Sequence, residues 1–438
     1  MSTPPETVTP PSPGDSTLRR VAQSTAIVIA CLVVTAGAMA GIVYNLLGLP
    51  VLRVLPYVGD YYRIDLDVYR IGGGVFMAGA PLYGGIPATE VGAALPFTYP
   101  PIAAVLFSPL SALSLFWAGI VVTAISLVLL FVTIVITLHS LGYAPKTLLL
   151  WGAGAVFAAS MILEPVFSTF DYGQINVILM AFVVADCLLE KTPWPRGVLL
   201  GFVAAVKLTP AVFVLFFLLR KDFRAAAMSA LGFVAFTAIG FAATFSDSVT
   251  YWTVTLIDSD RIGNPAYPGN QSITGVLARL GLDESVRSAT WIALSCCMLA
   301  LAGVAMTRAF AADRTALALG VNALFGLLVS PVSWSHHWVW AIPFSIALAT
   351  FAYRRRNVFV MTFVGSGLLL LHFAPHWQVT AGRYSGVGWP IIDQLVASSY
   401  VWWAIAAIVT VAIVMPRRSA GGQSPDTTSP TDTALSAR

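Results

Sequence analysis

Two aspartates, Asp65 and Asp67, follow the first apolar segment of the chain and are its best-placed carboxylates for acid–base chemistry. If they begin a helix, Asp65 and Tyr69 share one face at i,i+4. Asp67 can then pair with Arg70 at i,i+3 or with Arg63 at i−4, which leaves Asp65 as the unpaired carboxylate. Two alternatives stay open: acidic residues that only stabilise a helix N-terminus, and an Asp-x-Asp pair that holds a metal and a nucleotide diphosphate.

A lysine inside an apolar run is the second candidate. The run at 196–219 is interrupted by Lys207 and, three residues later, by Pro210. In a bilayer helix this adds a charge and removes a backbone donor, so the pattern predicts two short helices that meet at Lys207. An anionic partner such as a phosphate would keep the lysine charged. The alternative is a side chain that extends along its stem to the outer interface.

Two polar turns supply amides. Gln174 and Asn176 lie between two apolar runs, and Asn270, Gln271 and Ser272 lie in a longer polar loop. Amides and hydroxyls both donate and accept hydrogen bonds, which suits hydroxyl-rich ligands such as sugars. Ordinary capping and chain reversal would use the same residue types.

Adjacent histidines, His336 and His337, stand between tryptophans at the end of an apolar run. One interpretation of this group is an aromatic belt at the membrane interface, in which the polar residues have no function of their own. Zinc is disfavoured, because helical zinc ligands are usually spaced i,i+4. Further ligands would have to come from His372 and His376 in another loop.

The composition shows what must position these residues. Of 438 residues, 58% are apolar and 10% charged, and the mean hydropathy is +0.82. Soluble domains are about 25% charged, so a water-soluble enzyme is excluded. The net charge of +4 is too small to indicate a nucleic-acid partner. The chain is therefore expected to be an all-α polytopic integral membrane protein.

Apolar segments give the predicted topology. They lie at about 24–48, 115–138, 148–168, 174–190, 196–219, 225–245, 290–307, 315–333, 338–353, 357–373 and 391–415. With the run at 196–219 counted as two half-length helices, about 12 segments result, some of them short or broken. Residues 102–113 are too short to cross and are expected to be re-entrant or interfacial.

Lysine and arginine set the orientation. Leaving Arg438 aside, fifteen lie on one side of these segments and eight on the other. The richer side is predicted to be cytoplasmic, with both termini on it. We expect disordered cytoplasmic ends at 1–23 and 417–438, a transmembrane domain at 24–416, and a functional face formed by long, partly helical outer loops.

Six short motifs, in chain order, connect the candidates. They are Asp-Leu-x-Val-Tyr at 65–69, Tyr-Pro-Pro at 99–101, Gly-Gln-x-Asn at 173–176, Lys-Leu-Thr-Pro at 207–210, Asn-Gln-Ser at 270–272 and Ser-Trp-Ser-His-His at 333–337. Together they resemble the polyprenyl-phosphate-mannose-dependent mannosyltransferases of the C-type membrane glycosyltransferase superfamily, above all those that act on mycobacterial phosphatidylinositol mannosides. The likeness extends from Asp65 to about Pro343.

The resemblance implies a lipid-linked mannose donor, a glycolipid acceptor and a new α-1,2 linkage. The expected step lengthens a phosphatidylinositol tetramannoside on the periplasmic face of the bacterial inner membrane, without a cofactor and without a required metal. It makes Asp65 the general base and His337 a second catalytic residue. It assigns substrate binding to His336, Lys207, Tyr69, Asp67, Arg70, Tyr99, Gln174, Asn176, Asn270, Gln271, Ser335 and Trp334.

Two other functions stay open at this point. A solute transporter or lipid-linked sugar flippase would be expected to show internal repeats and ionisable residues near the midplane. No convincing repeat is visible, and charges within the spans are few. A transferase for another lipid-linked sugar, such as an arabinosyltransferase or a lipoglycan mannosyltransferase, would share the scaffold and differ only in pocket shape.

Overall fold

The computed structural model of the chain describes residues 62–143, 146–258, 261, 263–379 and 388–416. Within these ranges the regular structure is helical, apart from one isolated antiparallel bridge between Asn270 and Trp334. The predicted all-α class is confirmed there. The predicted first segment at 24–48 and the two predicted disordered ends lie outside the described residues.

Seventeen α-helices follow one another in the described ranges. They are α1 Ile64–Met77, α2 Pro101–Ser111, α3 Leu115–Ser140, α4 Lys146–Ser160, α5 Glu164–Tyr172, α6 Asn176–Leu188, α7 Val198–Val206, α8 Val214–Arg220, α9 Phe223–Ala243, α10 Phe245–Thr250, α11 Ile273–Arg279, α12 Glu284–Ala311, α13 Thr315–Val329, α14 Ala341–Arg355, α15 Val358–Phe373, α16 Ile391–Ala397 and α17 Ser399–Val414. Short 3₁₀ segments lie at Thr209–Phe213, Ser335–Trp340 and Pro375–Gln378, and a π-helical turn lies at Tyr251–Thr255.

Three described helices, α3, α9 and α12, are long and apolar enough to cross a membrane. The count rises to five if two bent pairs each form one span: α4 with α5, bent by 72°, and α16 with α17, bent by 68°. The sequence predicted one segment each at 148–168 and 391–415, and the structure bends both into two helices. A membrane protein with several spans is therefore supported, whereas 12 segments stay a prediction.

The predicted break at Lys207 is present. Helix α7 ends at Val206, Lys207 is extended (φ −148°, ψ 124°), and the chain continues through the 3₁₀ segment that contains Pro210 before α8 begins. The extended backbone at Lys207 directs its side chain away from the axis of α7. Because Pro210 has no backbone N–H, it fits at the second position of a new helical segment.

Helix α1 packs against α2 through a glycine. A Cβ atom on Gly73 would lie 2.6 Å from the Phe107 carbonyl oxygen, so the two backbones can touch only where the side chain is absent. At Gly74 the nearest atom, Cβ of Ser111, would be 3.6 Å away, an ordinary contact. Gly73 therefore sets the position of the helix that carries Asp65.

Two neighbouring alanine substitutions should separate close packing from helix propensity. We expect Gly73→Ala to destabilise the protein by about 1–3 kcal/mol through steric overlap. Gly74→Ala should be neutral or stabilising by up to about 1 kcal/mol, since alanine favours helix over glycine. Thermal unfolding of both variants in the same detergent measures this difference. Equal melting temperatures would contradict the role assigned to Gly73.

Candidate active site

Asp65 lies in the first turn of α1, outside the candidate spans, where it meets the turn after α5. Gly173 ends α5 in the left-handed conformation (φ 72°), and a Cβ atom there would lie 2.6 Å from Cβ of Leu66. Only glycine fits both conditions. This close approach lets Gln174 Nε2 donate a 2.7 Å hydrogen bond to Asp65 Oδ2.

Two tyrosines fix the orientation of that amide. Gln174 Oε1 accepts hydrogen bonds from the hydroxyls of Tyr69, at 2.8 Å, and Tyr99, at 3.3 Å. Phenols can donate to the carbonyl oxygen, so the NH₂ group must face Asp65. The two tyrosine hydroxyls also lie 2.7 Å apart. The predicted shared face of Asp65 and Tyr69 is thus confirmed, and both residues meet at Gln174.

Lys207 lies at the other end of this chain of hydrogen bonds. Its Nζ atom donates to the Tyr99 hydroxyl and to Asn176 Oδ1, each at 3.3 Å, and lies 3.4 Å from His337 Nε2. Since an ammonium group only donates, the contact fits a His337 ring whose Nε2 is unprotonated. Within the described part of the chain, the ion pairs join Arg70 to acidic residues, and none includes Lys207. The ammonium is therefore available to a bound anion.

A cavity of about 60 Å³ opens beside this lysine. Lys207, Asn176, His337, Ser333 and Trp340 are among its lining residues. The cavity combines a cation with amide, imidazole and hydroxyl groups. These groups can bind an anionic group, and apolar residues such as Leu179, Val212 and Phe213 form much of the remaining lining.

The two histidines play different structural parts. His336 is buried, and its ring centroid lies 5.0 Å from that of Tyr172 and 4.9 Å from that of His337. Its backbone carbonyl accepts hydrogen bonds from Thr169 Oγ1 and from Asn176 Nδ2. Asn176 thus joins the histidine segment to Lys207. Of the two imidazoles, that of His337 faces the cation.

Glu164 is a buried carboxylate near the site that the sequence did not single out. Its Oε1 accepts hydrogen bonds from Ser335 Oγ, at 2.7 Å, and Trp377 Nε1, at 2.9 Å, while its Oε2 accepts one from Tyr400, at 2.9 Å. It therefore fastens the segment before His336 to two C-terminal segments. The sequence feature that could have drawn attention to Glu164 is a carboxylate beside Pro165 at the end of an apolar run.

Asp67 and Arg70 lie in a separate network. Asp67 accepts hydrogen bonds from Arg70 Nη1, at 3.0 Å, from the Tyr62 hydroxyl and from the Glu90 backbone N–H. Arg70 also donates twice to the Leu113 carbonyl. Arg70 therefore forms an ion pair with Asp67, one of the two pairings that the spacing allowed. Substrate binding by either residue stays a prediction.

Asn270 and Gln271 join separate loops to each other. Both are 0% exposed. Asn270 Oδ1 accepts from the Ser333 backbone N–H, and Gln271 Nε2 donates to the carbonyls of Pro268 and Ala397. Their amides are engaged by protein, and so is the hydroxyl of Ser335. Substrate contacts of these three residues and of Trp334, whose ring lies near Tyr267, stay predictions.

Burial raises the pKa of Asp65 to about 6, although the hydrogen bond from Gln174 and the positive charge of Lys207 act in the opposite direction. A carboxylate with such a pKa is a stronger base than a solvated aspartate and is still largely ionised at neutral pH. Asp65 can therefore accept a proton from a bound hydroxyl.

A metal site is not evident in the residues that the structure describes: no group of three or more His, Cys, Asp and Glu side chains converges there. The adjacent histidines contact Tyr172, Lys207 and each other. Independence from metals stays a prediction.

Comparisons with known proteins identify the family of this chain. The sequence pattern of glycosyltransferase family 87 matches residues 97–331. A protein of Mycolicibacterium smegmatis, "Polyprenol-phosphate-mannose-dependent alpha-(1-2)-phosphatidylinositol mannoside mannosyltransferase", is 46% identical over 84% of this chain and 88% of its own length. A protein of the same description from Mycobacterium tuberculosis is 44% identical over 82% of this chain and 86% of its own.

A second kind of relative is more distant. A Mycobacterium tuberculosis protein described as a "phosphatidylinositol pentamannoside mannosyltransferase" with the same donor dependence is 34% identical over 82% of this chain and 84% of its own. No solved structure matches. The family pattern covers more than half of the chain and the relatives cover most of it, so this protein belongs to glycosyltransferase family 87 and is a glycosyltransferase.

Proposed function

We propose that the protein transfers mannose from polyprenol-phosphate-mannose to a phosphatidylinositol mannoside and forms an α-1,2 linkage. The descriptions of the relatives at 44–46% identity support this donor and acceptor. The observation that carries the proposal is the convergence of a basic carboxylate and a lysine on one hydrogen-bonded chain through Gln174 and Tyr99. This lysine has no ion pair among the residues that the structure describes.

The chemistry follows from Asp65 and Lys207, which lie at the two ends of this hydrogen-bonded chain. Asp65 takes the proton of the acceptor hydroxyl while that oxygen bonds to C1 of mannose and the bond from C1 to the phosphate oxygen breaks. Transfer from a β-linked mannosyl phosphate to an α-linked product inverts C1, so one carboxylate is sufficient. The polyprenyl phosphate leaves as a stable anion and needs no general acid, unlike an alkoxide leaving group. Lys207, with His337 beside it, stabilises the departing charge.

The proposal includes a location and an orientation. We place the protein in the inner membrane of a bacterium, and the charge asymmetry favours an orientation with both termini in the cytoplasm and the Asp65 face outside. It also includes transfer without a cofactor or a required metal. Asp65, Gln174, Lys207 and His337 supply a base, its orienting amide and the groups for the leaving phosphate.

A transfer assay on purified protein in lipid tests the function. Radiolabelled polyprenyl-phosphate-mannose is offered with a phosphatidylinositol tetramannoside or pentamannoside acceptor, and wild type is compared with Asp65→Asn. We expect label in the tetramannoside, and only with Asp65 intact. A folded wild type that transfers no label to either acceptor, and none from other lipid-linked sugars, would contradict the proposal and favour a flippase.

The pH dependence of transfer should report Asp65. Since the base must be ionised, the rate is expected to rise about tenfold per pH unit below the pKa of about 6 and to level off above it. Gln174→Leu removes a hydrogen bond that lowers this pKa, so its midpoint should move to higher pH. Asp67→Asn, as a control, should leave the midpoint in place. An unchanged midpoint in Gln174→Leu would refute the orienting role of the amide.

A further inference from the structure

A second cavity, of about 610 Å³, lies at the opposite end of the helices from Asp65, between the ends of α12, α14 and α17. Two arginines from distant parts of the sequence, Arg308 and Arg355, line it together with Asn357. Its lining also includes Phe351 and the segment 413–416, and none of the described residues that line it is acidic. The proposed catalysis does not use this cavity.

The lining of this cavity combines positive charge with apolar surface. Arg308 is half-buried at the end of α12 and donates to the Ala412 carbonyl, which holds its guanidinium beside α17. Arg355 is exposed at the end of α14. In the described part of the chain neither arginine forms an ion pair with a carboxylate. Phe351 and Ile413 provide apolar surface next to the two cations.

This arrangement matches one class of ligand. Guanidinium groups bind phosphate oxygens in a fixed, often bidentate geometry. An apolar wall beside them fits the hydrocarbon chains attached to that phosphate. Basic pockets between membrane helices at the cytoplasmic surface are sites for anionic lipid headgroups. A free phosphate would use the arginines but would gain nothing from Phe351 or Ile413.

We propose that Arg308 and Arg355 form a binding site for the phosphodiester headgroup of an anionic phospholipid. The inference depends on the proposed membrane placement of these helix ends, and it is independent of mannosyl transfer. The lipid occupies a site distant from Asp65 and Lys207 and links three helices whose other ends lead toward the outer loops. It is a structural ligand of the full-length protein, separate from donor and acceptor.

Lipid binding without substrates tests this site. The full-length protein in a neutral detergent is titrated with phosphatidylglycerol or with phosphatidylcholine of the same chains, and bound lipid is counted by native mass spectrometry. We expect phosphatidylglycerol to bind preferentially, and Arg355→Gln or Arg308→Gln to weaken that binding about fivefold each, the effect of one lost arginine near a membrane phosphate. Glycerol phosphate should not compete, since it lacks the apolar chains.

Arg224→Gln is the matched control: it removes the same charge from an exposed arginine at the start of α9 that does not line the cavity. It should bind phosphatidylglycerol like wild type. Because Arg355 is exposed, its variant keeps the test open even if Arg308→Gln fails to fold. Any one of four results would overturn the site. These are equal binding of both lipids, an equal loss of binding in Arg224→Gln, unchanged binding in Arg355→Gln, and competition by glycerol phosphate. Transfer activity is assayed separately, so a failed function and a failed lipid site are distinguishable.

Discussion

Replacing Asp65 by asparagine should lower the rate of mannosyl transfer by about 10²–10⁴-fold, the usual contribution of a general base. Asparagine has nearly the same shape but cannot accept the proton of the acceptor hydroxyl. The loss should appear in kcat with little change in KM for either lipid. The measurement is the radiolabelled transfer assay at saturating donor and acceptor.

The fold should not suffer from this substitution. The folded-state pKa of Asp65, about 6, lies above its ordinary value of 3.8. The neutral carboxyl group therefore favours the folded state at low pH, and this stabilisation is lost as the pH rises through 6. At neutral pH, where the ionised carboxylate is a cost to folding, Asp65→Asn should melt at or above the wild-type temperature. A lower melting temperature would attribute the lost activity to misfolding.

Asp67→Asn is the matched control, with the same chemical change two residues away. The Asp67 carboxylate accepts hydrogen bonds from Arg70, Tyr62 and the Glu90 backbone N–H. Its replacement should lower the melting temperature, because the three donors around this buried position lose a charged acceptor. The folded fraction should keep part of its transfer rate. The reverse pattern, with Asp67→Asn inactive and Asp65→Asn active, would move the base by two residues.

Replacing Lys207 by methionine should reduce kcat by about 10²–10³-fold, comparable to the removal of one charged or hydrogen-bonding group from a developing oxyanion. It should also raise KM for polyprenol-phosphate-mannose, since the same ammonium binds the phosphate before reaction. KM for the glycolipid acceptor should stay close to wild type. Initial rates measured over a matrix of donor and acceptor concentrations separate these effects.

Stability again distinguishes a functional lysine from a structural one. Methionine retains most of the length of Lys207 without a charge in an apolar segment, so Lys207→Met should melt at the wild-type temperature or higher. Lys191, which is exposed at the opposite end of the molecule, provides the control: Lys191→Met should leave kcat and both KM values unchanged. Wild-type donor KM in Lys207→Met would refute phosphate binding at this position.

The sequence alone determined the features that depend on neighbouring residues. An all-helical membrane protein follows from the apolar runs, and the break at Lys207 follows from a charge and a proline in one of them. The common face of Asp65 and Tyr69 follows from i,i+4 spacing. The order of six short motifs also pointed to the glycosyltransferase class. The helical class, the break and the shared face are set within a few residues or by composition, and the motif order is read along the chain, so no knowledge of the packing is needed.

Only the tertiary structure decided which distant groups meet. Gln174 orients Asp65 because Tyr69 and Tyr99 occupy its carbonyl oxygen, and no local spacing encodes that arrangement. Spacing left two arginines as partners for Asp67; the structure pairs Arg70 with it, and two hydrogen bonds to the distant Leu113 carbonyl hold that guanidinium in place.

Buried anchoring residues were the hardest to interpret from sequence. In the sequence Glu164 is a carboxylate beside Pro165 at the end of an apolar run, yet three donors from other segments converge on it. Asn270 and Gln271 have the amides expected of a sugar site, but the fold uses them to join loops. Hydrogen-bond partners distant in sequence depend on which helices pack together. Hydrophobic periodicity specifies which face of a helix is buried but not which partner covers it.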